Sequence, residues 1–240
     1  MRLSVLLWLL LPFLLLACEG DEDTDGDGIN DGDDACPEQE EDNRWSFEDE
    51  SDGCPDGLDD LARLAEFDID GFWERTSRNF ELPYEGPAEI VAYTDGTDTP
   101  CGPAVPDNAF YCALDHRIYY HEPFVDRQLE QIGDFAVVFV LAHEWGHLMQ
   151  ANLGLLTEDT FTIALELQAD CLAGAYTADA DERGLLEQGD TDEGVVALIN
   201  SGDPEGVPWF HPGAHGSPEQ RVDAFRAGYQ GGIEACLPRS

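Results

Sequence analysis

Lysine is absent from this 240-residue chain, and its 11 basic residues are all arginines. Set against 52 acidic residues, they leave a formal net charge of −41. A surface so poor in cations repels phosphate backbones and anionic lipid headgroups, which excludes nucleic acid as a partner. The same surface attracts divalent cations and basic partners. Apolar residues, at 42%, are as frequent as in ordinary globular proteins. The length allows one sizeable core and a tail.

The first apolar run, "MRLSVLLWLLLPFLLLAC", is short for a membrane span and is broken by Pro12. Residues 1–17 therefore read as a signal peptide. "LLAC" resembles the lipobox of bacterial lipoproteins, which implies cleavage before Cys18 and acylation of its sulfur. Glu19 follows it, in place of the aspartate that favours inner-membrane retention. The expected location is a lipid-anchored cell envelope, at the outer membrane or cell surface of a Gram-negative bacterium. An ordinary cleaved signal with an incidental cysteine is the alternative.

Export makes disulfides the natural state of the other six cysteines. Six cysteines allow fifteen pairings. Proximity in sequence favours Cys36–Cys54 and Cys101–Cys112, leaving Cys171–Cys236 to tie back the C-terminus.

Residues 18–60 are dense in Asp, Glu and Gly and have the composition of a tether. Within them, "DTDGDGINDGDD" sets Asp23, Asp25, Asp27, Asp31 and Asp34 at positions 1, 3, 5, 9 and 12 of a loop, with Gly28 at 6 and Ile29 at 7. That is the ligand spacing of an EF-hand loop, Ile29 contributing its backbone carbonyl, and all-oxygen ligation suits calcium. With "ACPEQEED" and "FEDESDGCPD" downstream, the segment resembles a thrombospondin type 3 calcium repeat. A plain acidic linker is the alternative.

Residues 61–240 read as one folded domain. Helical periodicity marks "LDDLARLAEF" and "DGFWERTSRNF"; "AEIVAY" and "RIYYH" are strand-like, separated by the Pro- and Gly-broken "TDGTDTPCGPAVPDNAFYC". A helix capped by Asp134 should run to Asn152, with Gly154 beyond it. It is apolar on nearly every face and so central. Its "LAHEWGHLMQ" places His143 and His147 one turn apart on one side. Such a pair supplies two zinc ligands, and Glu144 is the neighbour able to serve as base. A third ligand is needed. A second apolar helix starting near Thr160 contains "ELQADCLAG". If the two helices form an antiparallel hairpin, His147 and Glu166 both lie about 8–9 Å from the turn at ~1.5 Å per residue. Glu166 then faces His147, and Asp170, one turn on, is level with His143 and can accept from its spare N–H. Glu158 is a rival ligand but falls in the turn. Gly146 within the helix implies close approach by another element. His116 and His121 are expected at the surface without a ligand role.

"HEWGH" followed by "ELQAD" resembles the gluzincin arrangement of zinc peptidases. "FDIDGFWERTSRNF", "CGPAVPDNAFYCALDHRIYYH", "LAHEWGHLMQ", "LELQADCLAG" and "HGSPEQRVDAFRAGY" are similar, in order, to segments of the bacterial neutral zinc metallopeptidase family; the lipobox and acidic repeat depart from it. The resemblance implies an α+β zincin-like domain: an active-site helix, a second glutamate-bearing helix and a small sheet with a substrate-binding edge strand. "RIYY" (residues 117–120) is the candidate edge. It also implies peptide-bond hydrolysis on protein or peptide substrates, with Zn2+ as the catalytic metal; the signal peptide places this activity outside the cytoplasm, and structural Ca2+ belongs to the acidic repeat. Glu144 would then be the base, with His215 and Arg221 in transition-state roles. "HGSPEQR" supports a fixed His215, because Ser217, Pro218 and Gln220 form a capping signature just after it. Two other functions stay open: a calcium-dependent surface binder with an inactive zinc site, and a cell-wall peptide amidase.

Overall fold

The computed structural model describes residues 22–39, 57–157, 160–211 and 213–237. The signal peptide, Cys18, Cys54 and Glu158 lie outside these. The chain divides into two compact units, 1–56 and 57–240. In the first, residues 22–39 form turns and bends without helix or strand.

The second unit is α+β. Helix α1 (Leu58–Phe80) is followed by five short strands: β1 (Glu89–Tyr93), β2 (Asp98–Thr99), β3 (Gly102–Pro103), β4 (Ala109–Cys112) and β5 (Arg117–His121). Helices α2 (Glu122–Gln131), α3 (Asp134–Asn152), α4 (Thr162–Glu182), α5 (Asp190–Ser201) and α6 (Pro218–Gly231) complete it, with a 3-10 turn at Ile233–Ala235. The two helical stretches read at the start of the domain are one continuous helix, ended at Glu81 by a left-handed residue.

Helix α3 is the axis, touching α1, α2, α4, α5 and β4. That explains its all-round apolar character, since a helix covered on every side has no face for water. Its N-terminus departs from expectation. Gly133, at φ 148°, takes the cap position and Asp134 is the first helical residue. Glu193 of α5 reaches across, and its carboxylate accepts from the Phe135 N–H at 3.1 Å. The far end closes as a Schellman motif: Gly154 is left-handed at φ 68°, its N–H bonds the Ala151 carbonyl and the Leu155 N–H bonds that of Gln150. At α6 the capping box forms, with Ser217 Oγ and the Gln220 side chain each accepting from the other's backbone N–H.

The element approaching Gly146 is α4. A Cβ at Gly146 would lie 2.7 Å from Ala169 Cα and 2.9 Å from its Cβ. Backbone atoms cannot move aside as a flexible side chain can, so glycine is what lets the two helices come together. Helices α4 and α6 meet as closely: a Cβ on Gly228 would lie 1.8 Å from the Cys171 carbonyl oxygen. Beside that crossing, Cys171–Cys236 clips the C-terminus to α4. Cys101–Cys112 is also formed.

The three-stranded sheet has the order β1-β5-β4, parallel between β1 and β5 and antiparallel between β5 and β4. Residues 117–120 therefore lie in its central strand. The expectation that "RIYY" is the substrate-binding edge is corrected: β1 and β4 occupy both its sides. The edges are β1 and β4, and β4 comes from a stretch read as irregular because prolines and glycines flank it. Cys112 of β4 joins Tyr93, Ala104 and Tyr119 in a small buried cluster. The surface placement of His121 is corrected as well. His121 is 5% exposed at the end of β5, where its Nδ1 accepts from the Asp107 N–H at 3.2 Å. His116 is half-buried between the Tyr111 hydroxyl and the Glu85 carbonyl.

Candidate metal centre

The turn after α3 returns the chain antiparallel, and α4 begins at Thr162, two residues later than its pattern suggested. Glu166 thereby falls in its first turns, facing α3. His143 Nε2 lies 3.3 Å from Glu166 Oε2, and His147 Nε2 lies 3.5 Å from Oε1. One ligand atom from each of the three falls within 4.8 Å of the others. The two rings stand edge to face, 4.8 Å apart. Two imidazole nitrogens and a carboxylate oxygen converging inside a cleft could hold a metal ion, and they match the ligand types that zinc takes in catalytic sites.

Beneath the donors is a second tier. Asp170, with no exposure, sits one turn above Glu166. Its Oδ1 is 2.8 Å from His143 Nδ1, an ion-pair contact lying off the ring's N–H axis. Arg221 grips the same carboxylate with two bonds of 2.8 Å, from Nε and Nη2, and its Nη1 donates to the Ser201 hydroxyl and carbonyl. His147 has a different partner: its Nδ1 is 3.0 Å from Gln150 Oε1. Glu144, 5% exposed, accepts the Tyr111 N–H at 2.8 Å. His215 is half-exposed. Its backbone N–H and that of Gly216 both donate to Asp203 Oδ2, which pins the loop before α6.

Electrostatics tie the cluster together in the metal-free chain. Burial works against a charged His143, but the neighbouring Asp170 carboxylate, then Glu166, outweighs it and pushes the imidazole up to about 10. Burial of His147 is likewise outweighed, chiefly by the Glu166 hydrogen bond, and its pKa rises. Burial favours a neutral Glu166, yet hydrogen bonds from both histidines hold it well below the ordinary carboxylate range. Protons on the histidines thus occupy the place of a cation.

These groups line one cleft of about 700 Å³. His143, His147, Glu166, Glu144, His215 and Arg221 all border it, and β4 forms a wall. Because the Tyr111 N–H points to Glu144 and not to β5, Tyr111 and, by strand alternation, Ala109 turn their backbone groups toward the cleft. Phe110, Phe124, Phe139, Val140 and Leu156 give the cleft apolar surface.

In the first unit, Asp23, Asp25 and Asp27 bring carboxylate oxygens within 4.8 Å of one another. Asp25 and Asp34 each bury one oxygen without a hydrogen-bond partner. Asp31 instead accepts from the Thr24 N–H and hydroxyl. Ile29 donates its N–H to Asp27. The Cys36–Cys54 pairing lies outside the described residues, as Cys54 does. Among the described residues, no helix is long and apolar enough to cross a membrane.

Gln150, Ser201, Asp203 and the Tyr111 N–H were not singled out from the sequence. Gln150 carried a signal, since it stands three residues after His147 on the same helical face. The others come from distant segments and carried none.

Comparison with known proteins agrees with this chemistry. Residues 28–237 match the family model described as "Putative neutral zinc metallopeptidase". The uncharacterized protein YpfJ of Escherichia coli strain K12 is 30% identical over 186 residues, covering 68% of this chain and 64% of its own. The uncharacterized protein Rv2575 of Mycobacterium tuberculosis is 28% identical over 193 residues, with the same coverage of 68% and 64%. The chain thus spans just under two thirds of the length of these relatives. No solved structure matches. With the match running through both donor helices, the chain belongs to the neutral zinc metallopeptidase family.

Proposed function

We propose that this protein is a zinc-dependent endopeptidase that works outside the cytoplasm. The observation carrying this reading is the convergence of His143, His147 and Glu166 inside a cleft that also holds Glu144. The zincin-like character of the domain rests on the family and on this donor set. Zinc held there supplies a Lewis acid that polarises a scissile carbonyl and lowers the pKa of water to about 7.

The chain's own residues supply the rest. Glu144, aimed by the Tyr111 N–H, takes a proton from the attacking water and returns it to the leaving nitrogen. The outward groups of β4 that Glu144 leaves unused, the Ala109 backbone and the Tyr111 carbonyl, receive the substrate as an added strand, replacing "RIYY" in that role. His215, fixed by Asp203 at the rim, donates to the developing oxyanion. Arg221 acts at one remove: its nitrogens are committed to Asp170 and Ser201, so it holds the carboxylate that borders His143. A base so placed favours a hydrolase over an inactive binding module.

The N-terminal unit is proposed as a calcium-stiffened tether, lipidated at Cys18, that holds the domain at the outer membrane or cell surface. The buried, partnerless oxygens of Asp25 and Asp34 support a cation there.

Five outcomes are expected. Glu144→Gln should retain zinc while peptide cleavage falls by about 10²–10⁴-fold; undiminished cleavage would remove Glu144 as the base. The raised pKa of His143 means that zinc must displace a proton. Calorimetry in buffers of different ionisation enthalpy should show proton release at neutral pH, with affinity climbing as pH rises toward about 10. In the metal-free chain the sign differs by group. The Glu166 contribution to stability is present above 4.5 and the His143 contribution below 6.5, so thermal stability should be best between those values. Zinc uptake without proton release would contradict the charge assignment. For the tether, Cys18→Ser should shift the protein from envelope to soluble fractions, and calcium should change the circular dichroism of the intact chain. An unchanged fraction and a flat calcium titration would leave a plain acidic linker.

A further inference from the structure

Gln150 is wholly buried, at 0% exposure. A buried amide left without partners costs roughly 1–3 kcal/mol, so each of its ends needs one. Its Nε2 donates to the Leu165 carbonyl oxygen at 2.7 Å, across the gap from α3 to α4. A backbone carbonyl can only accept, so this contact settles which end of the amide is nitrogen. The end facing His147 Nδ1 at 3.0 Å is therefore the oxygen. An amide oxygen also only accepts, so the proton must sit on Nδ1. Nε2, the nitrogen beside Glu166, is then the one left to exchange its proton for a metal.

We propose that Gln150 is a positioning residue with two linked tasks. It fixes His147 in the Nδ1–H form, and it fastens α3 to the residue immediately before Glu166. One side chain thus sets the orientation of a donor on α3 and the register of a donor on α4. This assignment rests on the zinc reading of the site. The two histidines are held by different chemistry. His143 borders a carboxylate that Arg221 neutralises, whereas His147 is held by a neutral amide. The neutral partner orients the second ring without adding another negative charge to a cluster that already holds Glu144, Glu166 and Asp170.

The test compares wild type with Gln150→Met, which keeps an unbranched side chain of similar size and removes both hydrogen bonds. Gln150→Glu keeps an acceptor toward His147. Two readouts are needed: zinc affinity by chelator competition, and the His147 Nδ1–H resonance by ¹⁵N NMR. Gln150→Met should bind zinc about 10–100-fold more weakly, the usual effect of losing a ligand's orienting partner. It should also lose the protected Nδ1–H signal. Gln150→Glu should keep the signal and recover part of the affinity. Wild-type affinity and an unchanged resonance in Gln150→Met would overturn the assignment. If that variant does not fold, loss of the signal in folded Gln150→Glu would overturn it instead. If wild type takes up no zinc, the zinc reading fails. The metal-free wild type must still show Nδ1–H protected by Gln150, and its absence would overturn this inference separately.

Discussion

The structure depends on one close crossing, where α3 and α4 meet at Gly146 and Ala169 with no room for another methyl group. That contact sets the separation at which His143 and His147 on one helix confront Glu166 on the other. Were the helices farther apart, as an alanine at 146 would require, the carboxylate would no longer span both rings. The cost of one glycine inside a helix, about 1 kcal/mol, is small beside what the approach allows. The rest of the fold protects this geometry. Helix α6 closes on α4 at Gly228, the Cys171–Cys236 bridge holds the chain end there, and Glu193 caps α3 from outside.

A second constraint is electrical. The chain carries a large excess of negative charge, yet its central cluster is balanced. Asp170 is matched by Arg221, and Glu166 lies between two imidazoles. Without metal, protons on those rings serve as the cation. A divalent ion would meet the same demand by displacing those protons, which couples metal uptake at this site to pH. The acidic exterior adds long-range attraction for cations.

Much of the site was legible in the sequence because its decisive spacings are local. The four-residue step from His143 to His147 and that from Glu166 to Asp170 each follow from helix geometry, and a short turn fixes which heights face each other. What was hidden depends on tertiary pairing. Strand β4 has only four residues, and its neighbour Asp107 is left-handed at φ 58°, so neither length nor alternation announced it. Without β4, "RIYYH" looked like an edge and His121 looked exposed. Arg221 stood at the right distance from His215 to suggest a direct role. Only the fold shows that its guanidinium is occupied by a carboxylate 51 residues away.

X-ray absorption at the zinc edge of the loaded wild-type protein would read ligation by His143, His147 and Glu166 directly. One tightly held ion should appear in a nitrogen- and oxygen-only shell near 2.0–2.2 Å. Outer-shell scattering should correspond to two imidazoles, and the carboxylate contribution should be lost in Glu166→Gln. A shell containing sulfur, a different number of imidazoles, or a spectrum unaltered by that substitution would contradict this ligation.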